Sequence, residues 1–169
     1  MRILAAFLIA AVVSTPASPA QQTGGPINPP EGARKVLQVE GDGVQIYVCT
    51  DTHDGLKWVL RAPDARLLDA SGKMIGKHFA GPTWSLVDGS QVQGELIASR
   101  PSPEPDSVAW LLLGAKTGTG TGKLAKVKFI RRTETHGGVA AQPGCQRASD
   151  AGKLAQIPYT ATYTFYALR

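Results

Sequence analysis

The stretch Pro158-Tyr159-Thr160-Ala161-Thr162-Tyr163-Thr164-Phe165-Tyr166 decides the fold class of this chain. Three aromatic residues and an alanine occupy every second position, and threonines fill the positions between them. Successive side chains of a β-strand point to opposite faces, so a period of two is the pattern of a strand with one buried face. The stretch therefore predicts a half-buried strand that Pro158 opens.

Shorter segments of the same kind recur along the chain and are joined by turn residues. Val44, Ile46 and Val48 form a second alternating segment, Gly41-Asp42-Gly43 before it is typical of a turn, and Pro63 interrupts a later segment. No segment has the period of an amphipathic helix. Segments spaced by roughly 8–12 residues favour an all-β fold. We expect a single-domain antiparallel β-sandwich or barrel of about ten short strands, with the strand pairing left open.

The N-terminal residues have the pattern of a secretory signal peptide. Arg2 is followed by an apolar run from Ile3 to Val13 and then by small residues up to Ala20. The run is too short to span a bilayer, which needs about 20 residues. We therefore predict a signal peptide over 1–20, a flexible leader over 21–34 and one β domain over 35–169. The product would be exported to the periplasm or beyond, with no transmembrane segment in the mature chain.

The chain has two cysteines, Cys49 and Cys145. In an oxidising compartment an even number of cysteines indicates a disulfide, and two cysteines allow only one intramolecular pairing. Two free thiols or a redox pair are the alternatives, although no C-x-x-C motif is present.

Basic residues are concentrated in the second half of a chain with a net charge of +5. Alternation from Leu124 to Arg132 predicts a strand that places Lys126, Lys128 and Arg132 on one face. Such a face is either simply solvated or a contact surface for anionic material. In an exported protein that material would be an acidic glycan, a wall component or an anionic lipid rather than nucleic acid.

The segment from Gly76 to Ser90 holds the densest set of chemistry-bearing side chains. An exposed Trp84 beside His78 and Asp88 would form a ligand site, with a stacking face and hydrogen-bonding groups around it. In the structural interpretation, Trp84 fills the core, His78 bonds backbone at the Gly81-Pro82 corner and Asp88 caps the Asp88-Gly89 turn.

Other motifs do not carry a specific chemistry. Gly118–Lys123 lacks the spacing of a phosphate-binding loop and precedes a strand. His53, His78 and His136 have no metal-ligand spacing, and whether they converge is open. The sequence accordingly predicts no metal site, no cofactor and no catalytic residue.

Ordered blocks over nearly the whole mature chain carry a family resemblance. They are Gly43–Cys49, Trp58, Pro63–Ala65, Gly76–His78, Gly81–Trp84, Asp88–Ser90, Trp110–Leu113, Arg131 with Thr135, Gly137–Gly138, Cys145 and Pro158–Tyr166. Together they resemble the exported bacterial and fungal family catalogued as the domain of unknown function numbered three-four-five-five. The resemblance implies export and a single domain, and it implies no activity, substrate or catalytic residue.

Three functional hypotheses follow. The leading one is a non-enzymatic, exported β domain that binds a ligand or envelope component through His78, Trp84 and Asp88. The second is a secreted hydrolase of polysaccharide or ester substrates, with His78 and Asp88 in acid–base roles. The third is a structural or stress-related wall-associated protein.

Overall fold

The protein is an eight-stranded antiparallel barrel with up-and-down connectivity. The structure, a computed structural model, describes residues 27–169. The strands, in chain order, are β1 (Arg34–Thr52), β2 (Gly55–Leu68), β3 (Met74–Phe79), β4 (Thr83–Leu86), β5 (Gln91–Arg100), β6 (Trp110–Thr119), β7 (Phe129–Gly137) and β8 (Leu154–Ala167). Each strand pairs with the next, and β8 pairs with β1 to close the ring. The prediction of an all-β antiparallel fold is confirmed. Of the two predicted architectures, sandwich and barrel, the structure has the barrel.

The strands number eight rather than about ten because two predicted interruptions are continuous strand. Gly41-Asp42-Gly43 lies inside β1 and pairs with both β2 and β8. A Cβ at Gly41 would lie 2.5 Å from the Tyr163 ring, so the missing side chain makes room for an aromatic residue inside the barrel. Pro63 lies inside β2, where only β1 is a partner because pairing with β3 begins at Ala65. A proline without an N–H is tolerated at such an edge.

Two predicted strand boundaries also move. The strand predicted from Leu124 begins at Phe129, since the residues before it form turns in which Ala125 N–H donates to Gly122 O and Val127 N–H donates to Leu124 O. The last strand begins at Leu154 rather than Pro158, because Leu154 already pairs with Val48.

The barrel interior is a packed core in which apolar side chains predominate. Strand alternation points the large side chains inward, as in other eight-stranded barrels whose interior is just wide enough to be filled by side chains. Leu124 and Val127, from the loop after β6, are also buried against this core. The core members that are 0–1% exposed are Leu67, Trp84, Val92, Leu124, Ile130, Ala161, Tyr163 and Phe165.

We call the end of the barrel at which β1 starts the lower end, and the end at which it finishes the upper end. At the upper end the loop after β7 is held by several contacts. Cys49 of β1 is bonded to Cys145, with 5.5 Å between their Cα atoms, so the predicted disulfide is confirmed. The Tyr47 hydroxyl donates to Gly138 O at 2.6 Å, and Val108 N–H donates to Gly137 O. A 3-10 helix, Ala148–Asp150, completes this loop.

The chain enters the described range on the outside of the barrel. Ile27 is buried, and Asn28 accepts a hydrogen bond from Arg131 at 3.1 Å. The signal peptide predicted over 1–20, its cleavage position and the first six residues of the predicted leader lie outside the described residues. From residue 27 onward, no helix is long and apolar enough to cross a membrane.

Candidate functional site

His78 and Trp84, two of the three predicted ligand-binding residues, meet inside the barrel. They are directly opposite on β3 and β4, and their rings stack with centroids 4.3 Å apart and planes inclined by 8°. Tyr163 meets both rings edge-on, at 5.1 Å and 5.5 Å between centroids. Because Trp84 is only 1% exposed, its indole cannot offer a stacking face to a ligand in solution.

The His78 imidazole is held neutral in this position. Its Nδ1 lies 2.8 Å from the carbonyl oxygen of Thr83, a contact in which Nδ1–H is the donor. Burial lowers the pKa of His78 from 6.5 to about 4, because the charged ring would lose its hydration. A neutral histidine with one nitrogen engaged at the Gly81-Pro82 corner supports the fold locally.

Asp88, the third residue of the predicted set, lies at the lower end of the barrel in the turn after β4. Its Oδ1 accepts from the backbone N–H and the hydroxyl of Ser90, at 2.9 and 2.6 Å. Its Oδ2 accepts from Lys123 N–H at 2.9 Å. The hydrogen bond from the Ser90 hydroxyl, and to a smaller extent the one from Lys123 N–H, holds the pKa of this carboxyl below its usual range. His78 lies on β3, opposite Trp84 and toward the upper end of the barrel. The acid–base pair of the hydrolase hypothesis therefore does not face one common space.

Lys126, Lys128 and Arg132 do not form the single face that the alternation predicted. Lys126 and Lys128 are exposed in the segment before β7. Arg132 lies on the same side of β7 as the buried Ile130, and its Nε and Nη2 both donate to Ala109 O at 3.0 and 2.8 Å. The shift of the strand start to Phe129 places Lys126 in a turn and leaves Lys128 just before the strand. Arg132 lies on the inward side of the strand.

The outer surface near the upper end carries a groove of a different composition, which we call the arginine groove. It opens beside the last pair of β6 and β7, Leu111 with Arg132, beyond which β7 continues without β6. Its volume is about 360 Å³, within the range of small-molecule sites. Its lining residues are Ile27, Asn28, Arg100, Trp110, Arg131, Thr133 and Glu134.

Both arginines of the groove are held in place by neighbours. The Arg100 guanidinium lies over the Trp110 ring, with its Cζ 4.7 Å from the ring centroid. Arg131 donates from Nη1 to Asn28 Oδ1. Stacking on an indole restricts the rotamers of Arg100, and the hydrogen bond to Asn28 orients Arg131, so a ligand would meet cations that are already oriented.

Two of the side chains that line the groove carry an N–H donor without an acceptor. Arg131 Nε and Trp110 Nε1 are buried and have no hydrogen-bond partner among the residues that the structure describes. A buried donor without an acceptor costs about 1–3 kcal/mol, more when the group is charged. An acceptor supplied from outside the chain would remove that cost.

Glu134 adds a carboxylate and an unusual backbone to the groove. Thr133 pairs with Thr162 and His136 with Thr160, so Glu134 and Thr135 together oppose Ala161 as a β-bulge. Glu134 has φ +46°, in the left-handed region that costs a residue with a side chain roughly 1–2 kcal/mol. Glycine usually occupies this position in a bulge, and bulges are frequent beside functional sites.

Little in the amino-acid pattern indicates this groove. Its members come from four separate segments, and Trp110 stands in a run whose apolar character indicates a core strand. The adjacent Arg131 and Arg132 were the available signal, because alternation sends only one of them outward. Residues 27–169 contain no group of three or more histidine, cysteine, aspartate or glutamate side chains that could hold a metal ion.

Comparison with known proteins gives a family and no activity. No curated protein and no solved structure matches the chain. A family model described as "Protein of unknown function (DUF3455)" matches residues 29–167, which comprise every strand from β1 to β8. Because this match covers the whole barrel, the chain belongs to the DUF3455 family.

Proposed function

We propose that this protein is an exported, non-enzymatic binding protein that takes an anionic ligand of the cell envelope in the arginine groove. The single observation that carries the proposal is the pair of buried donors, Arg131 Nε and Trp110 Nε1, that lack acceptors beside a groove of small-molecule size. Oxygen atoms of a ligand would complete these hydrogen bonds.

The charge of the groove favours an oxyanion as the ligand. Arg100 and Arg131 present guanidinium groups, whose planar N–H donors match the two oxygens of a carboxylate or the oxygens of a phosphate or sulfate. Neither arginine forms an ion pair within 4 Å in the described range, since the ion pairs found there involve His53, Lys57, Arg66 and Lys153. Their charges are therefore available to a partner.

The location proposed for this activity rests on the N-terminal pattern and on the disulfide. A buried bond between Cys49 and Cys145 is compatible with an oxidising compartment. Outside the cytoplasm, abundant anionic ligands are acidic glycans, wall polymers and lipid head groups. The exposed Lys126 and Lys128 at the lower end would then be a secondary contact with the same material.

The test is anion binding by matched variants of the mature, oxidised protein. Sulfate and glucuronate are titrated at low salt, with calorimetry as the readout, into wild type, Arg100→Gln and Arg131→Gln. A charge-assisted hydrogen bond contributes about 1.5–3 kcal/mol, so each variant should bind roughly ten- to a hundredfold more weakly. Arg61→Gln, an exposed arginine of β2, is the control and should bind as wild type does. Lys126→Gln probes the secondary contact at the lower end, and it should leave the binding of a small anion in the arginine groove unchanged, because that groove lies near the upper end.

Three results would contradict the proposal. Equal affinity in all five proteins, or no binding at all, would remove the arginine groove as a site. Loss of binding in Lys126→Gln alone would transfer the site to the lysines at the lower end. Melting temperatures of the variants, measured without anion, show whether a lost affinity reflects a lost fold.

A further inference from the structure

The backbone of Glu134 is unfavourable for its residue type, and the side chain lines the arginine groove. The bulge over Glu134 and Thr135 needs a residue with positive φ, and φ at Glu134 is +46°. Glycine adopts this conformation without strain, whereas glutamate does not. Backbone strain of this kind clusters at active sites and ligand-binding sites. The carboxylate of Glu134 therefore needs an explanation in terms of the groove.

The carboxylate changes which anions fit. Glu134 forms no ion pair with Arg100 or Arg131 in the described range, although all three line one groove. A bare oxyanion would satisfy the guanidinium and indole donors but would be repelled by Glu134. A ligand with hydroxyl groups near its own carboxylate would satisfy both, because hydroxyls donate to Glu134 while the carboxylate accepts from the arginines.

We infer that the groove is a site for a uronic-acid sugar, with Glu134 as the residue that distinguishes it from simple anions; this inference rests on the proposed function. The Arg100 guanidinium already covers one face of Trp110. Recognition therefore relies on hydrogen bonds to hydroxyl and carboxylate groups rather than on stacking of the sugar ring against that face.

The experiment compares three probes on three proteins. Glucuronate has both the carboxylate and the hydroxyls, glucose lacks the carboxylate, and sulfate lacks the hydroxyls. Each is titrated into wild type, Glu134→Gln and Glu134→Gly. Wild type should bind glucuronate at least tenfold more tightly than either glucose or sulfate. Both variants should lose most of this preference, with sulfate affinity unchanged or higher because the repelling charge is gone.

The glycine variant supplies a second readout that does not depend on binding. Because glycine fits the left-handed φ, Glu134→Gly should melt at a higher temperature than wild type in the absence of ligand. Lower stability in Glu134→Gly, with unchanged glucuronate affinity in both variants, would overturn the role of Glu134. Glu134→Gln retains the side-chain length and the bulge strain, so it isolates the charge.

The outcomes separate this inference from the proposed function. If sulfate and glucuronate bind equally in all three proteins, the uronate preference is overturned while the arginine groove remains an anion site. If wild type binds neither anion, both the groove and its ligand class are overturned. If glucose binds as well as glucuronate, the arginines do not recognise the carboxylate and the inference fails.

Discussion

Between pH 7 and pH 4, acid should destabilise this barrel mainly through His78, because the carboxyl groups with lowered pKa lose their contribution chiefly at lower pH. The ring is buried against Trp84 and is neutral in the folded protein because burial lowers its pKa to about 4. In the unfolded chain it titrates with the ordinary pKa of 6.5. Between these two values the unfolded chain binds a proton that the folded chain does not. The stabilising contribution is therefore complete above pH 6.5 and is lost as pH falls toward 4.

The size of the loss follows from the difference between the two pKa values. Each pKa unit corresponds to about 1.4 kcal/mol of free energy. The shift from 6.5 to about 4 thus removes about 3 kcal/mol of unfolding free energy between pH 7 and pH 4. A domain of this kind has about 5–15 kcal/mol in total, so the loss is large enough to measure.

The assay is denaturant unfolding at several pH values, applied to wild type and His78→Asn. An asparagine amide can still donate to Thr83 O but does not titrate, so the variant keeps the local hydrogen bond and lacks the proton. His78→Asn should be less stable than wild type at pH 7, because it loses the ring stack with Trp84. The gap between the two proteins should narrow by about 3 kcal/mol by pH 4.

His53→Asn and His136→Asn are the matched controls, since both side chains are exposed. Each should show the same dependence on pH as wild type. A constant gap between wild type and His78→Asn from pH 7 to pH 4 would refute the reasoning. It would mean that the imidazole charges inside the barrel without cost, for instance through an acceptor that the contacts do not show.

Two further perturbations test the supports of the loops. Asp88→Ala should lower the unfolding free energy by about 1–2 kcal/mol, because Ser90 and Lys123 lose a charged acceptor, and denaturant unfolding measures this. Unchanged stability with loss of glucuronate binding would instead make Asp88 a ligand contact. A Cys49→Ala, Cys145→Ala double variant should lose about 2–4 kcal/mol while keeping the β-rich circular dichroism spectrum of wild type. A difference below about 0.5 kcal/mol would show that the disulfide does not contribute to stability.

Local sequence pattern predicted the strands well but not the way they close. The alternation from Tyr159 to Phe165 correctly places Tyr159, Ala161, Tyr163 and Phe165 in the interior, since each is at most 2% exposed. Whether strands form a sandwich or a ring depends on the pairing of β1 with β8, which no local pattern encodes. Gly41 and Gly43 have turn chemistry, but the Tyr163 ring and the neighbouring β2 backbone take the space of their missing side chains.

The candidate site was harder to predict for a related reason. His78, Trp84 and Asp88 are close in sequence, yet cross-strand pairing turns the two rings inward and the hairpin carries Asp88 to the other end. Arg100, Trp110 and Arg131 are distant in sequence and meet only because their strands are neighbours in the ring. The positive φ of Glu134 has no sequence signal, because glutamate is not a residue that marks such a conformation.

The closure of the ring sets the order in which this chain can assemble. Seven of the eight pairings join strands that follow one another in the chain, so their partners are close in sequence. The remaining pairing, from Arg34 with Ala167 to Val48 with Leu154, joins the two ends of the domain. Closing so long a loop carries the largest entropic cost, so we expect this pairing to form last and to limit the folding rate. The disulfide joins β1 to the segment leading into β8. Oxidation therefore holds β1 close to β8. In a chain oxidised before folding, the loop that must close to pair these two strands would already be short.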